Sequence, residues 1–152
     1  MRGRALAAAF AVALWLLGTA AFFSAAGCGV EPVREEEPEK AVQLFLQTSM
    51  EENAEAAYNL ITEESKKGIR DKNELVSGFA ETFSSFSVGV AQISGNKARV
   101  PVDLEVKSFQ EYLSFEVVVE KEGDAWKISL PETASEMERA YRLFIQKYTS
   151  GT

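Results

Sequence analysis

An alternation of apolar and polar residues in the second half of the chain is the feature that most limits its possible folds. Along residues 98–107 every second residue is apolar, and the residues between them are charged or proline. Since successive side chains of a strand point to opposite faces, this pattern predicts a strand with one buried and one wet face. Residues 113–120 and 126–130 alternate similarly, and residues 87–94 form a weaker candidate. The pattern predicts a four-stranded antiparallel meander, with an edge or a bulge at Pro101, which lacks an N–H to donate.

The segment before these strands has the periodicity of helices. From Pro38 onwards, apolar residues recur at spacings of three and four and predict one helix, and residues 54–61 predict a second, shorter one. Asp71 and Glu74 resemble a capping box, after which Leu75, Phe79 and Phe83 follow at steps of four. We therefore expect a third helix that presents one apolar face to the core.

A last helix is predicted after Pro131, where Thr133 and Glu136 form a second possible capping box. Its apolar stripe is expected to pack on its own domain, although docking to a partner is an alternative. The fold class predicted is thus α+β, with N-terminal helices packed on an antiparallel meander and a C-terminal helix added. The stripe consists of Met137, Tyr141, Phe144 and Tyr148.

The amino terminus has the organisation of an export signal. Arg2 and Arg4 precede the uncharged residues 5–23, and small residues then lead to Cys28, the sole cysteine. This exit resembles the lipobox of bacterial lipoproteins, which implies a signal peptide at residues 1–27 and lipid attached to Cys28. An uncleaved transmembrane helix of residues 5–26 and ordinary secretion after Ala26 are the alternatives. Each interpretation places the domain outside the cytoplasm, because the basic residues stay inside.

Residues 28–37 are rich in glutamate and lack a core-forming pattern, so we interpret them as a solvated acidic tether. The formal net charge of −7 disfavours nucleic acid as a partner, because phosphates require a basic face. The chain has no histidine, which removes the commonest general base and zinc ligand. We expect no metal, no cofactor and no catalytic residue.

The acidic residues of the predicted strands also argue against a catalytic site. Asp103, Glu105, Glu116 and Glu120 alternate with the apolar residues and should face solvent. Pairing across strands with Lys107 or Lys127 is their expected role. An enzyme of this architecture would instead need a carboxylate that is buried and has a raised pKa.

Helices followed by four antiparallel strands, with residues 121–128 (KEGDAWKI) as the closing hairpin, resemble the nuclear transport factor 2-like, or cystatin-like, superfamily. The likeness is greatest to small bacterial lipoproteins of that group, many of unknown function. It covers residues 38–131, whereas the C-terminal helix at 132–152 extends beyond it. The resemblance implies a sheet curled into a cone around a pocket.

Five aromatic residues are candidates for the lining of such a pocket, although packing in a filled core is the alternative for each. The leading hypothesis is a non-catalytic lipoprotein, anchored to the membrane, that binds a small apolar ligand or an envelope protein. A cone-pocket hydrolase or isomerase that uses a buried carboxylate and a tyrosine is one alternative, and a structural or dimerisation module is another. The pocket candidates are Tyr58, Phe79, Phe83, Tyr112 and Trp126.

Overall fold

A computed structural model describes residues 37–149 of the chain. The signal peptide and most of the tether predicted from the sequence lie outside these residues. The described residues form an α+β fold in which helices pack against one antiparallel sheet, and this confirms the predicted fold class. The helices are α1 (Pro38–Met50), α2 (Ala54–Asn59), α3 (Glu63–Lys66), α4 (Phe79–Thr82) and α5 (Leu130–Thr149). The strands are β1 (Phe83–Val88), β2 (Gln92–Ser94), β3 (Lys97–Val106), β4 (Glu111–Glu122) and β5 (Ala125–Ile128).

The long strands β3 and β4 form the centre of the sheet and are paired over the whole length of β3. Both β1 and β2 pair with the other edge of β3, and β5 pairs with one end of β4. The free edge of β5 is covered by the chain after α2, where Thr62 N donates to Ile128 O at 3.0 Å and Ile128 N donates to Leu60 O at 2.8 Å. The sheet therefore has five strands rather than the four that were predicted.

The additional strand arises opposite Pro101, where the predicted strand at residues 87–94 is interrupted. Strand β1 ends at Val88 and β2 begins at Gln92, and Gly89 N donates to Pro101 O at 2.7 Å in the gap between them. Proline has no N–H with which to continue the ladder on this side. The expected irregularity is present, since β3 has no strand partner on this side at Pro101, while β4 continues on its other side.

The main core lies between α1 and one face of the sheet. The alternating residues of β3 are buried as predicted, with Val100 at 0% and Leu104 at 1% exposure. Helix α1 contributes Val42 and Leu46 to the same cluster, and Ile128 of β5 completes it. A second, smaller cluster joins Val106 and Leu113 to Phe144 of α5. Helix α5 therefore packs on its own domain, as the sequence analysis favoured.

The predicted third helix is wrong as a single element. Asp71 caps a 3-10 turn, Lys72–Leu75, by accepting a hydrogen bond from Asn73 N at 3.0 Å. The chain then passes through Gly78, whose φ of 72° is left-handed and ends any continuous helix. The four-residue α4 follows, and Phe83 already belongs to β1. The steps of four nevertheless bring the Phe79 and Phe83 rings together, with centroids 4.9 Å apart.

Helix α5 begins at Leu130, earlier than the predicted start at Thr133, and Pro131 lies in its first turn. Proline is well tolerated there because the first helical N–H groups have no partner within the helix. Thr133 is therefore inside the helix and does not cap it. Among residues 37–149, no helix combines the length and the apolar character that crossing a membrane requires.

Candidate functional site

An apolar groove of about 620 Å³ lies between α1, the short α4 segment, β4 and α5. Phe45 and Leu46 of α1 form part of one wall, and Phe79 and Phe83 extend it. The floor is the inward-facing row of β4, which includes Phe115. This volume lies within the range of pockets that hold small ligands.

Helix α5 forms the opposite wall. Ala134, Met137 and Tyr141 line the groove and follow one another at steps of three and four, so they share one helix face. Met137 is 39% exposed and Tyr141 is 51% exposed, although both belong to the apolar stripe. Further along the stripe Phe144 is covered, because it packs against Phe109 with ring centroids 5.2 Å apart, whereas Tyr148 is 40% exposed. The stripe is thus buried at Phe144 and open at the groove.

Several hydroxyl groups that line the groove are bonded to the main chain. Ser49 Oγ donates to Phe45 O at 2.8 Å, and Thr82 Oγ1 donates to Gly78 O at 2.8 Å. Thr133 Oγ1 accepts a hydrogen bond from Val118 N at 3.0 Å. These contacts leave the groove surface mainly apolar.

Glu138 is the one charged residue among the described residues that line the groove. Its side chain is 69% exposed, and its Oε1 lies 3.1 Å from Nη2 of Arg142, one helical turn further along α5. Arg142 does not line the groove. The groove therefore carries a carboxylate at its solvent side and no basic side chain in its lining.

Two of the five pocket candidates, Phe79 and Phe83, line this groove. The other three are placed elsewhere, which corrects their assignment to the lining. Tyr58 lies beneath Lys72, whose Nζ is 4.6 Å from the ring centroid. Tyr112 is 58% exposed because it alternates onto the outer face of β4, and Trp126 is 6% exposed within the main core.

The sequence analysis missed Met137 and Tyr141 as groove residues. Their spacing showed that they share a face with Phe144, and that face was expected to pack on its own domain. In the structure Phe144 is buried, whereas Met137 and Tyr141, in earlier turns of the helix, line the open groove opposite Phe79 and Phe83. Periodicity indicates which residues share a face, whereas the distance between two walls depends on how the whole domain packs.

The four acidic residues of β3 and β4 lie on the face opposite the core. Glu105 accepts hydrogen bonds from Ser84 Oγ at 2.7 Å and Ser85 Oγ at 2.8 Å, and these bonds lower the pKa of its carboxyl group. Asp103 accepts from the hydroxyls of Ser87 and Ser114. Both carboxylates are therefore occupied outside the groove.

Glu116 and Glu120 form ion pairs, but not with the predicted lysines. Glu116 lies 3.0 Å from Arg99, and Glu120 lies 3.1 Å from Lys97, its direct partner across the β3–β4 ladder. The predicted partners bond to main-chain carbonyls instead, since Lys107 donates to Ala80 O and Lys127 donates to Asn59 O. The predicted ion pairs with Lys107 and Lys127 are therefore not formed. Lys127 does lie opposite Glu120 in the β4–β5 ladder, but its amine bonds Asn59 O, whereas Lys107 lies beyond the end of the β3–β4 ladder.

Ion pairs also join α5 to the sheet. Lys97 Nζ lies 2.6 Å from Glu132, and Arg99 Nη1 lies 2.9 Å from Glu136. The hydrogen bond from Lys97 is the main cause that lowers the pKa of Glu132, and the bond from Arg99 does the same for Glu136. Lys147 pairs with Glu111 near the other end of the helix. Helix α5, which forms one wall of the groove, is thus held against the sheet by ion pairs as well as by the packing of Phe144.

Within residues 37–149, no cluster of three or more histidine, cysteine, aspartate or glutamate side chains is arranged to hold a metal ion. The groove itself contributes a single carboxylate, which is paired and exposed. Its geometry suits an apolar molecule held by contact rather than by coordination.

No protein-family model matches the chain, and no curated protein matches it. Among solved structures, the chain is similar to a crystal structure from Campylobacter jejuni whose protein is described as an NTF2-like transpeptidase. The sequences are 15% identical and the TM-score is 0.48, with 60% of this chain and 95% of the other covered. The fold class stated above rests on the observed helices and sheet rather than on this similarity.

Proposed function

We propose that this protein is a membrane-anchored extracytoplasmic lipoprotein that binds a small apolar ligand in the groove between α1, β4 and α5. The observation that carries the proposal is the groove itself, in which aromatic and aliphatic side chains of two walls face each other across an open space. A ligand that fills this space would remove apolar surface from water, at about 25 cal/mol for each Å².

The exposure of Met137 and Tyr141 supports this proposal. Isolated apolar side chains at the surface are common, whereas a continuous apolar surface in a concave site is typical of binding sites. Met137 and Tyr141 continue the apolar lining that begins with Phe79 and Phe83 on the other wall. A flexible methionine and an aromatic ring also suit a ligand whose shape is irregular.

The positions and partners of the carboxylates agree better with a non-catalytic protein than with a cone-pocket hydrolase or isomerase. Such an enzyme needs an acid whose pKa burial has raised, next to the bound substrate. Glu138 is exposed and paired with Arg142, and the carboxylates of Asp103 and Glu105 are bonded on the opposite face of the sheet. We therefore propose a binding protein and keep the enzyme as the alternative.

The anchor in this proposal is lipid attached to Cys28, at the end of the apolar leader. Acyl chains contribute about 0.8 kcal/mol for each buried methylene, and stable anchoring needs more than one chain or a second signal. Residues 28–37 would then connect the anchor to α1, which begins at Pro38. A domain held in this way can receive apolar molecules that leave or approach the membrane.

Photolabelling tests the binding site. The full chain is placed in vesicles of digalactosyldiacylglycerol, a lipid with an uncharged head, and exposed to dodecanol that carries a diazirine at the end of its tail. We expect labelled peptides from α5 and from the Phe79–Phe83 segment. In the variant Ala134→Trp the new side chain fills the groove from α5, so labelling of these peptides should fall at least fivefold.

The matched control is Ser135→Trp, because Ser135 is adjacent in α5 but does not line the groove. This variant should be labelled as strongly as the unchanged protein. If the groove peptides are unlabelled in the unchanged protein, or if both variants lose label equally, the proposed ligand site is wrong.

A further inference from the structure

We infer that the groove selects an amphiphile with a single apolar tail and a cationic head, an inference that rests on the ligand-binding function proposed above. The apolar lining accounts for the tail. The charges at the groove decide which head group can stay close to the protein when the tail is bound.

An anionic head would find no partner in the groove lining. The sole charged side chain there is the carboxylate of Glu138, which repels an anion. The basic residues that hold α5 to the sheet, Lys97 and Arg99, are each bound to two carboxylates. Lys107, on the loop after β3, donates to Ala80 O. A carboxylate or sulfate head would therefore lose water without gaining a cation within the lining.

A cationic head would meet two favourable groups on α5. Glu138 and Tyr141 are three residues apart, so they lie on the same side of the helix, and both line the groove. Oε1 of Glu138 is paired with Arg142, which lies outside the lining, but both side chains are exposed and such a surface pair is weak, so the carboxylate can still attract a cation. The face of the Tyr141 ring attracts a cation through its quadrupole. Both side chains are exposed at the solvent side of the groove, where the head of a bound amphiphile would lie.

The charge of the whole chain acts in the same direction. The formal net charge is −7, so the protein attracts cations and repels anions at distances of about one Debye length, roughly 8 Å at physiological salt. This long-range effect alone would not select a head group at the groove. Combined with the local pair of Glu138 and Tyr141, it gives the order of preference cationic, neutral, anionic.

Three probes with the same dodecyl tail and terminal diazirine test this order. Their heads are trimethylammonium, hydroxyl and sulfate, and the full chain is held in digalactosyldiacylglycerol vesicles so that the lipid does not supply a competing charged head. Labelling of groove peptides is divided by the fraction of each probe that enters the vesicles. We expect the cationic probe to label about two- to fivefold more than the neutral one, the range for an exposed cation on a ring. The anionic probe should label least.

Variants at two positions show which side chains cause the preference. Glu138→Gln should reduce labelling by the cationic probe towards that of the neutral probe and leave the neutral probe unchanged. Tyr141→Leu should reduce the cationic preference, whereas Tyr141→Phe should keep it because the ring remains. Glu64→Gln is the control, since Glu64 is an equally exposed glutamate that pairs with Lys67 away from the groove.

The outcomes separate this inference from the function on which it rests. Equal labelling by the cationic and neutral probes, or stronger labelling by the sulfate, overturns the head-group preference and leaves the apolar site intact. A cationic preference that survives in Glu138→Gln and in Tyr141→Leu also overturns it, because the charge of the whole chain would then account for the result. Absence of groove labelling by all three probes overturns the ligand site itself.

Discussion

Thr133 forms a buried polar contact between α5 and the sheet. Strand β5 pairs with β4 only as far as Val119, so the next N–H along β4, that of Val118, has no strand beside it. The Thr133 hydroxyl accepts this hydrogen bond at 3.0 Å, and both residues are buried. A side chain of the helix therefore replaces a strand at the point where β5 ends.

Replacing Thr133 with valine should destabilise the fold. The shape is retained, but the buried N–H of Val118 loses its acceptor, which costs about 1–3 kcal/mol. Urea unfolding followed by circular dichroism measures the change. Ser135→Ala removes an exposed hydroxyl of the same helix, which donates to Pro131 O, and should change stability by less than about 0.5 kcal/mol. Equal losses in the two variants would contradict this role of Thr133.

Gly78 is the glycine whose backbone shapes the groove wall. Its φ is 72°, and a Cβ added there would meet no atom within 4 Å, so substitution is opposed by the backbone alone. Gly78→Ala should therefore cost roughly 1–2 kcal/mol, the penalty of a left-handed residue with a side chain. Gly68→Ala is the matched control, because that glycine has no left-handed φ and its nearest contact would be an ordinary 3.7 Å. Thermal unfolding that gives the control the larger loss would refute the argument.

At the scale of helices and strands, the sequence predicted β3 and β4 well because each has one buried and one solvent-exposed face. Strand alternation is local, and the residues that alternate in β3 are the ones buried in the core. Spacing alone also predicted a helix from Asp71 to Phe83, because Leu75, Phe79 and Phe83 do follow at steps of four. The left-handed Gly78 divides it, and a glycine in a helical pattern does not by itself reveal its φ.

The candidate site was predicted less well than the fold. Phe79 and Phe83 were identified because aromatic residues on one face suggest either a core or a pocket. Met137 and Tyr141 require knowledge of where α5 lies relative to α4, which is a contact between distant parts of the chain. Tyr112 was misplaced although its alternation with Leu113 already indicated the wet face of β4.

The attachment of α5 should depend on pH. The pKa values of Glu132 and Glu136 are lowered in the folded protein, chiefly by hydrogen bonds from Lys97 and Arg99. A carboxylate with a lowered folded pKa contributes stability that is complete above its unfolded pKa, roughly 4.3, and is lost as pH falls through the folded value. The urea concentration at the unfolding midpoint should therefore decrease as the pH is lowered from 5 to 3. The decrease should be less steep in the double variant Glu132→Gln, Glu136→Gln.

The same measurement has an internal control. Glu64→Gln removes an exposed glutamate whose partner, Lys67, is three residues away in the same segment and does not join α5 to the sheet. It should leave the pH dependence of the midpoint close to that of the unchanged protein. An identical pH slope in the double variant and the unchanged protein would show that these ion pairs do not hold α5.

For the molecule as a whole, the proposals combine a ligand groove with an anchor that lies outside the described residues. Residues 37–149 contain both apolar clusters and the groove. A groove that binds amphiphiles would be useful near a membrane, because amphiphiles are concentrated there. In the anchor proposal the leader and Cys28 would keep the domain there, so the two proposals support each other but can fail separately.

The anchor proposal predicts the mass of the mature protein. If Cys28 is lipidated after cleavage, intact mass spectrometry of protein extracted from membranes should show a chain that begins at Cys28 and carries acyl chains. The variant Cys28→Ala cannot form the thioether, so the acyl mass should disappear. A chain that retains Met1 would identify an uncleaved helix of residues 5–26, and an unmodified chain that begins at Gly27 would identify secretion.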